Sequence, residues 1–270
     1  IELTDYINKL LHYEKAPNIG NWTNRMLLIG AILDTYSATS SAEYKEALRT
    51  NVLKNNMSYY KLYNLDGTNT NLTRTNFVNA INSLGVSLTE WFAHGGTYLA
   101  SDLVYDGGWQ WYDFALANDT LSMSNNDTLT FIFAYSCLTN AFDAAEYGGI
   151  TYNGYSLGEA FIRNANGGAI GYIGWSRVTW GYLGPYLDLG GGESIDTYFW
   201  IYFFTTGNHT PGLSLFQSLN RYGMYYQSNA EWKRKVYTSV HLLGDLDTSI
   251  WTNVPLLLNA SHPELSLIHI

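Results

Sequence analysis

The sequence predicts an α/β fold in which a mainly parallel sheet carries helices on both faces. Three observations carry this expectation. Short continuous apolar runs recur, at residues 25–34 (RMLLIGAILD), 88–93 and 129–135. Runs apolar at nearly every position suit strands covered on both faces. Between them lie segments with apolar residues at helical spacing, and no tight hairpin signals separate the runs. The strand-to-strand distance therefore has β–α–β length.

Taken in order, residues 3–14 read as a helix with Tyr6, Leu10, Leu11 and Tyr13 facing inward, broken by Pro17 and Gly20. Residues 25–34 form a strand closed by Asp34. Ser40 and Glu43 have the spacing of a capping box, and Tyr44, Ala47, Leu48 and Val52 continue a helix behind it. A strand follows at 58–67. Thr75 is expected to cap a helix carrying Phe77, Ile81 and Leu84, with Gly85 as its left-handed stop. The strand at 88–93 ends at His94-Gly95-Gly96. Residues 97–126 read as irregular. The strand at 129–135 ends at Ser136-Cys137. Ser156 and Glu159 form a second capping box, and 168–175 (GAIGYIGW) is a further strand. A loop at 176–192, helices near 193–205 and 211–228, and a closing strand at 237–247 complete one domain over 1–254. Residues 255–270 are expected to be a tail or the start of a further domain.

Composition narrows the function. The formal net charge is −9, and Lys and Arg total 14 in 270 residues. Such a chain has no basic footprint for phosphates, so a nucleic-acid partner is excluded. One cysteine rules out an internal disulfide framework, and no Cys/His cluster has zinc spacing. No metal site and no cofactor is required. The acidic DGG (106–108) and GDLD (244–247) segments read first as turns. They leave Ca2+ open as a structural ion, because hard oxygen ligands gather there. No apolar run reaches the ~18 residues of a membrane span. Sequons at Asn21, Asn56, Asn71, Asn118, Asn126, Asn208 and Asn259 favour an extracellular or cell-surface protein. The opening IELTDYINKLLHYEK is amphipathic and unlike a signal peptide. Ile1 is therefore expected to be a processed end.

Two buried strands, one ending in His94 and the other in Cys137, suggest a thiol and its base on one sheet edge. A thiol attacks as thiolate and has an ordinary pKa of roughly 8.5, so it needs a nearby imidazole. The oxyanion formed needs fixed donors, for which the N–H groups of Gly95 and Cys137 are candidates. Asp34 is expected to orient His94. Each residue also has a plainer reading: Cys137 as core, His94 as a turn residue, Asp34 as a cap, and Trp175 and Trp180 as core or rim aromatics. The remaining histidines have no partner pattern.

The chain resembles the catalytic domain of the gingipain family, peptidases of the caspase-like clan. The residues that carry the likeness are LHYEK with Trp22, the strand ending in Asp34, and the helix over 77–82 running to His94-Gly95. Ser136-Cys137 with Asn140 and Phe142, SLGEAFI, GGAIGYIG with SRVTW, and LLGDLD complete the set. It spans residues 8 to 250. The resemblance implies a caspase/gingipain-like three-layer sandwich and a cysteine endopeptidase acting on proteins or peptides. In it His94 and Cys137 would be catalytic, Asp34 the supporting acid and Trp180 a wall of the specificity pocket. Trp175 and Glu43 would also bind substrate, with Glu43 and Glu46 the nearest acids for a basic side chain. The family usually has Glu at the supporting acid and a shorter His-to-Cys segment. Its members also carry a smaller subdomain before the helix at residue 3, which implies a propeptide or subdomain removed by processing. Two other readings stay open on this fold: a non-catalytic binding protein and a thiol transpeptidase or ligase.

Overall fold

Six strands whose side chains alternate between two apolar environments build the central sheet. A computed structural model describes residues 2–254 apart from 55, 69, 144–153, 208 and 227–229. Strands β1 (Arg25–Gly30), β4 (Ser58–Tyr63), β5 (Leu88–Phe92), β9 (Thr130–Tyr135), β10 (Ala169–Trp175) and β11 (Val240–Gly244) hydrogen-bond in the order β11-β10-β9-β5-β1-β4. All neighbours are parallel except β11, which runs antiparallel to β10. The mainly parallel sheet with helices on both faces is thus as expected.

Alternation along β1 shows how the layers form. Met26 and Leu28 point into one core with Tyr44, Leu48, Phe199, Trp200 and Phe203. Leu27 and Ile29 point into the other, with Phe77, Trp91 and Phe161. Helices α2 (Ala42–Asn51), α6 (Gly192–Thr205), α7 (Pro211–Tyr226) and α8 (Glu231–Thr238) cover the first face. Helices α3 (Arg74–Asn79), α4 (Ala117–Leu121) and α5 (Leu157–Arg163) cover the second, and α1 (Glu2–Lys15) packs on α5 and β10. Each large apolar side chain so buried contributes about 1.5–3 kcal/mol before chain entropy is charged.

Several local expectations change. The run at 25–34 breaks after Gly30. Its end forms β2 (Ile32–Asp34), paired antiparallel with β3 (Thr39–Ser40). The Ser40–Glu43 capping box does not form. Ser40 Oγ donates to the Asn64 carbonyl, α2 starts after Ser41, and Glu43 is exposed. The Ser156–Glu159 box does form, with Ser156 N donating to Glu159 Oε2 at 2.9 Å. Thr73 rather than Thr75 caps α3, accepting from Asn76 N at 3.1 Å. Gly85 ends that segment at φ +70° as expected.

Residues 97–126, expected to be irregular, instead hold α4 and two strands, β7 (Leu99–Tyr105) and β8 (Trp109–Leu116), which form an antiparallel sheet with β6 (His94–Gly96). Asp106-Gly107-Gly108 is its hairpin turn, with Gly107 at φ +67°. The Asp106-Gly107 pair is a hairpin signal, contrary to the expectation that none separates the runs. The expected 255–270 tail lies outside the described residues.

Candidate active site

All five parallel strands end along one edge of the sheet, where sites of such folds lie. There β5 and β9 pair in register up to Phe92 and Tyr135, so the residues beyond them emerge side by side. Ala93 N donates to the Tyr135 carbonyl at 3.2 Å. Ser136 Oγ ties the two strand ends, donating to the Ala93 carbonyl and accepting from Trp91 Nε1, both at 2.9 Å. His94 and Cys137 follow directly from these clamped ends.

The His94 ring is half-buried. Its Nε2 lies 3.1 Å from the Leu33 carbonyl. A carbonyl only accepts, so Nε2 carries the proton, and Nδ1 is the basic nitrogen of the neutral ring. The Trp111 ring stands nearly perpendicular to it, at 82° and 4.8 Å between centroids. Burial lowers the imidazole pKa, partly offset by the Leu33 carbonyl. The ring is therefore neutral near neutral pH.

The Cys137 thiol donates to the Thr179 carbonyl at 3.6 Å and accepts from Thr179 N at 3.4 Å. Burial pushes its pKa up, against lowering by the Thr179 and Cys137 amides. Leu138, next in the chain, has φ +61°, an uncommon conformation for a leucine, held by Leu138 N donating to the Arg177 carbonyl. Gly95 is pressed against this turn. A Cβ there would lie 2.4 Å from the Cys137 carbonyl oxygen and 2.8 Å from Ser136 Cβ. The glycine thus lets the His94 and Cys137 segments touch.

His94 and Cys137 line one cavity of about 340 Å³, together with Leu33, Phe92, Tyr135 and Trp180. Phe92 and Tyr135 stack at 4.0 Å within this lining. Trp180 stands at the rim, 40% exposed. Thr179, Tyr135 and Leu33 were not singled out in the sequence, because nothing local distinguishes them from other strand and loop residues.

The other expected members lie elsewhere. Asp34 does not hold His94. Its carboxylate accepts from Tyr36 N at 3.2 Å, Ser37 N at 2.8 Å and Ser37 Oγ at 2.5 Å, capping its own turn. The carbonyl one residue earlier makes the contact with His94. Trp175 is core: Nε1 donates to the Val236 carbonyl at 2.9 Å, and the ring packs on Phe133 and Tyr135. Glu43 lies exposed on α2 and is absent from the cavity lining. Nearby Glu46 pairs with Lys61 at 2.6 Å and Arg49 at 2.9 Å.

Among the described residues no carboxylate lines the cavity. Glu193 lies buried behind it. Its oxygens accept from the amides of Gly191 at 2.8 Å, Tyr182 at 3.2 Å and Leu189 at 3.3 Å, and from Tyr135 Oη at 3.3 Å. It anchors the loop that carries Trp180. Among the described residues no group of three or more His, Cys, Asp or Glu is placed to hold a metal ion. Asp245, in the GDLD segment, accepts from Asp247 N at 2.7 Å and Thr248 N at 3.2 Å, as a turn residue does. No helix among the described residues is long and apolar enough to cross a membrane.

Residues 1–251 match the model of peptidase family C25. The chain belongs to that family. Its fold also matches solved structures. The crystal structure of the Arg specific cysteine proteinase gingipain R (RgpB) aligns over 94% of this chain and 54% of its own, at 17% identity and a TM-score of 0.67. The complex of Porphyromonas gingivalis RgpB pro- and mature domains aligns over 94% and 55%, at 17% identity and TM-score 0.68. A further structure, described as a protease, aligns over 97% and 57%, at 18% identity and TM-score 0.66. The C25 chain thus has the gingipain, caspase-like fold and spans about half the length of those chains. No curated protein matches it.

Proposed function

We propose that this member of family C25 is a cysteine endopeptidase in which Cys137 is the nucleophile and His94 the general base and acid. The observation that carries this is the pair itself: thiol and imidazole line one cavity beyond two clamped parallel strands. His94 takes the thiol proton as sulfur attacks the scissile carbonyl. The C–N bond then breaks, the amine leaves with the proton from His94, and the acyl group stays on sulfur. Water, deprotonated by the same imidazole, releases the acid and restores the thiol. The amides of Gly95 and Cys137 serve as oxyanion donors. In support, no backbone carbonyl of the described residues outside the regular strands takes the Cys137 N–H.

Trp180 at the rim supports its role as a pocket wall. The lining favours an uncharged side chain before the scissile bond over a basic one. An unpaired cation buried there would cost several kcal/mol. The Arg specificity in the description of gingipain R is therefore not carried to this chain. The likeness to RgpB, whose pro- and mature domains form a complex, supports a propeptide as a partner, and the sequons support export.

Fluorogenic peptides differing only before the cleaved bond test this reading. Cleavage after Leu, Phe or Tyr is expected to exceed that after Arg or Lys. Cys137→Ala should abolish turnover, and His94→Ala should lower it by about two powers of ten or more. Asp34→Asn should cost far less, since its carboxylate serves its own turn. Wild-type turnover by Cys137→Ala would refute the assignment.

A further inference from the structure

A second cavity of about 340 Å³ shares His94 with the first but not Cys137. Its other lining includes Gly96, Ser101, Trp111 and Asp113, all from the β6–β8 sheet. The strand register explains the grouping. His94 pairs with Ser101, and Ser101 pairs with Asp113, so the three stand in one row across three strands. Trp111 lies two residues before Asp113 on β8 and therefore shares its face. Ser101 Oγ donates to Asp113 Oδ1 at 2.5 Å and fixes the carboxylate. Trp111 is 65% exposed, an unusual position for a tryptophan, with its ring against His94.

The chemistry of acyl transfer gives this cavity a direction. The side chain before the bond needs a pocket beside the thiol. The leaving amine must reach the imidazole that protonates it. A cavity that borders His94 without Cys137 is therefore on the amine side of the bond. An indole with a fixed carboxylate two residues away is a cation receptor: the ring attracts an ammonium or guanidinium, and the carboxylate pairs with it. The net charge of −9 draws cationic peptides towards the chain as a whole.

We propose that the His94–Ser101–Asp113 row, walled by Trp111, is a leaving-side subsite that takes Lys or Arg as the first residue after the cleaved bond. This rests on the peptidase reading above. Internally quenched peptides test it, identical before the bond and carrying Lys, Arg, Ala or Glu directly after it. The expected kcat/KM for Lys or Arg exceeds that for Glu by about tenfold, the worth of one exposed cation–π contact and one ion pair. Asp113→Asn should bring that ratio within about threefold, and added salt should compress it in the wild type. Equal rates for Lys and Glu, or a Lys preference that Asp113→Asn leaves intact, would overturn the subsite while turnover upholds the peptidase. If no peptide of the panel is cleaved and peptidyl amides are also inert, both readings fall.

Discussion

At the scale of single residues, the site at rest holds two neutral groups. Burial raises the Cys137 thiol and lowers the His94 imidazole, so each shift opposes a thiolate–imidazolium pair. The sign is plain: a raised thiol pKa leaves little thiolate at neutral pH, and its fraction grows as pH rises. Alkylation of Cys137 by iodoacetamide should accelerate by about tenfold per pH unit through neutrality, with no plateau below about pH 8.5. A plateau between about pH 5 and 7 would mean a preformed ion pair, and the general-base step described above would then be unnecessary. Asp34 shows the opposite behaviour. Hydrogen bonds from Ser37, side chain first and then backbone, hold its carboxyl below the usual range. Those bonds belong to a turn and take no part in the titration of His94.

At the scale of elements, the two segments that carry the proposed catalytic pair touch through one glycine. The parallel pairing of β5 with β9 brings the His94 and Cys137 segments together, and Ser136 clamps them at their base. Gly95 completes the contact. With a methyl group, position 95 would press on the Cys137 carbonyl oxygen at 2.4 Å, so one loop must move. A shift of about 1 Å at reacting groups can cost about 10²-fold in rate. Gly95→Ala is therefore expected to lose about that much kcat/KM, with a stability loss of about 1–3 kcal/mol from overpacking. Turnover within threefold of wild type, alongside an unchanged circular dichroism spectrum, would show that the two loops need not touch.

At the scale of the whole molecule, a buried charge cluster joins three elements of one face. Lys45 of α2 is ion-paired with Glu90 of β5 and lies 3.6 Å from Asp196 of α6, all fully buried. Tyr44 Oη adds a bond to Asp196 Oδ2 at 3.0 Å. Burial pushes the lysine pKa down and the aspartate pKa up. Removing the cation would leave two carboxylates in the core. Lys45→Met should thus cost about 3–5 kcal/mol at pH 7, a large share of the ~5–15 kcal/mol that stabilises a domain. In the variant burial holds the Asp196 carboxyl above its unfolded pKa without the lysine to lower it, so the folded state binds more protons. Its stability should recover as pH falls from 8 towards 5. Urea denaturation at several pH values checks both statements. A loss below 1 kcal/mol, or one that does not vary with pH, would contradict them.

The sequence by itself determined what depends on continuous local pattern. Runs such as MLLI and FIFAY are apolar on both faces and can be satisfied only between two helical layers, so the sheet was legible. His94 and Cys137 stood out because each interrupts such a run at the strand's carboxyl end. The Ser156 capping box formed as read because its partners lie three residues apart and compete with nothing. Tertiary structure decided what depends on partners distant in the chain. Ser40 has an equally good local signature, but its hydroxyl goes to Asn64, which β4 delivers, and the box is lost. Asp34 and Leu33 are adjacent, and only the β2–β3 hairpin determines that the Leu33 carbonyl reaches His94 while the Asp34 carboxylate turns to Ser37. The row of His94, Ser101 and Asp113 exists only through strand register. No spacing along the chain encodes it, because its hydrogen-bonded neighbours are chosen by the folded sheet.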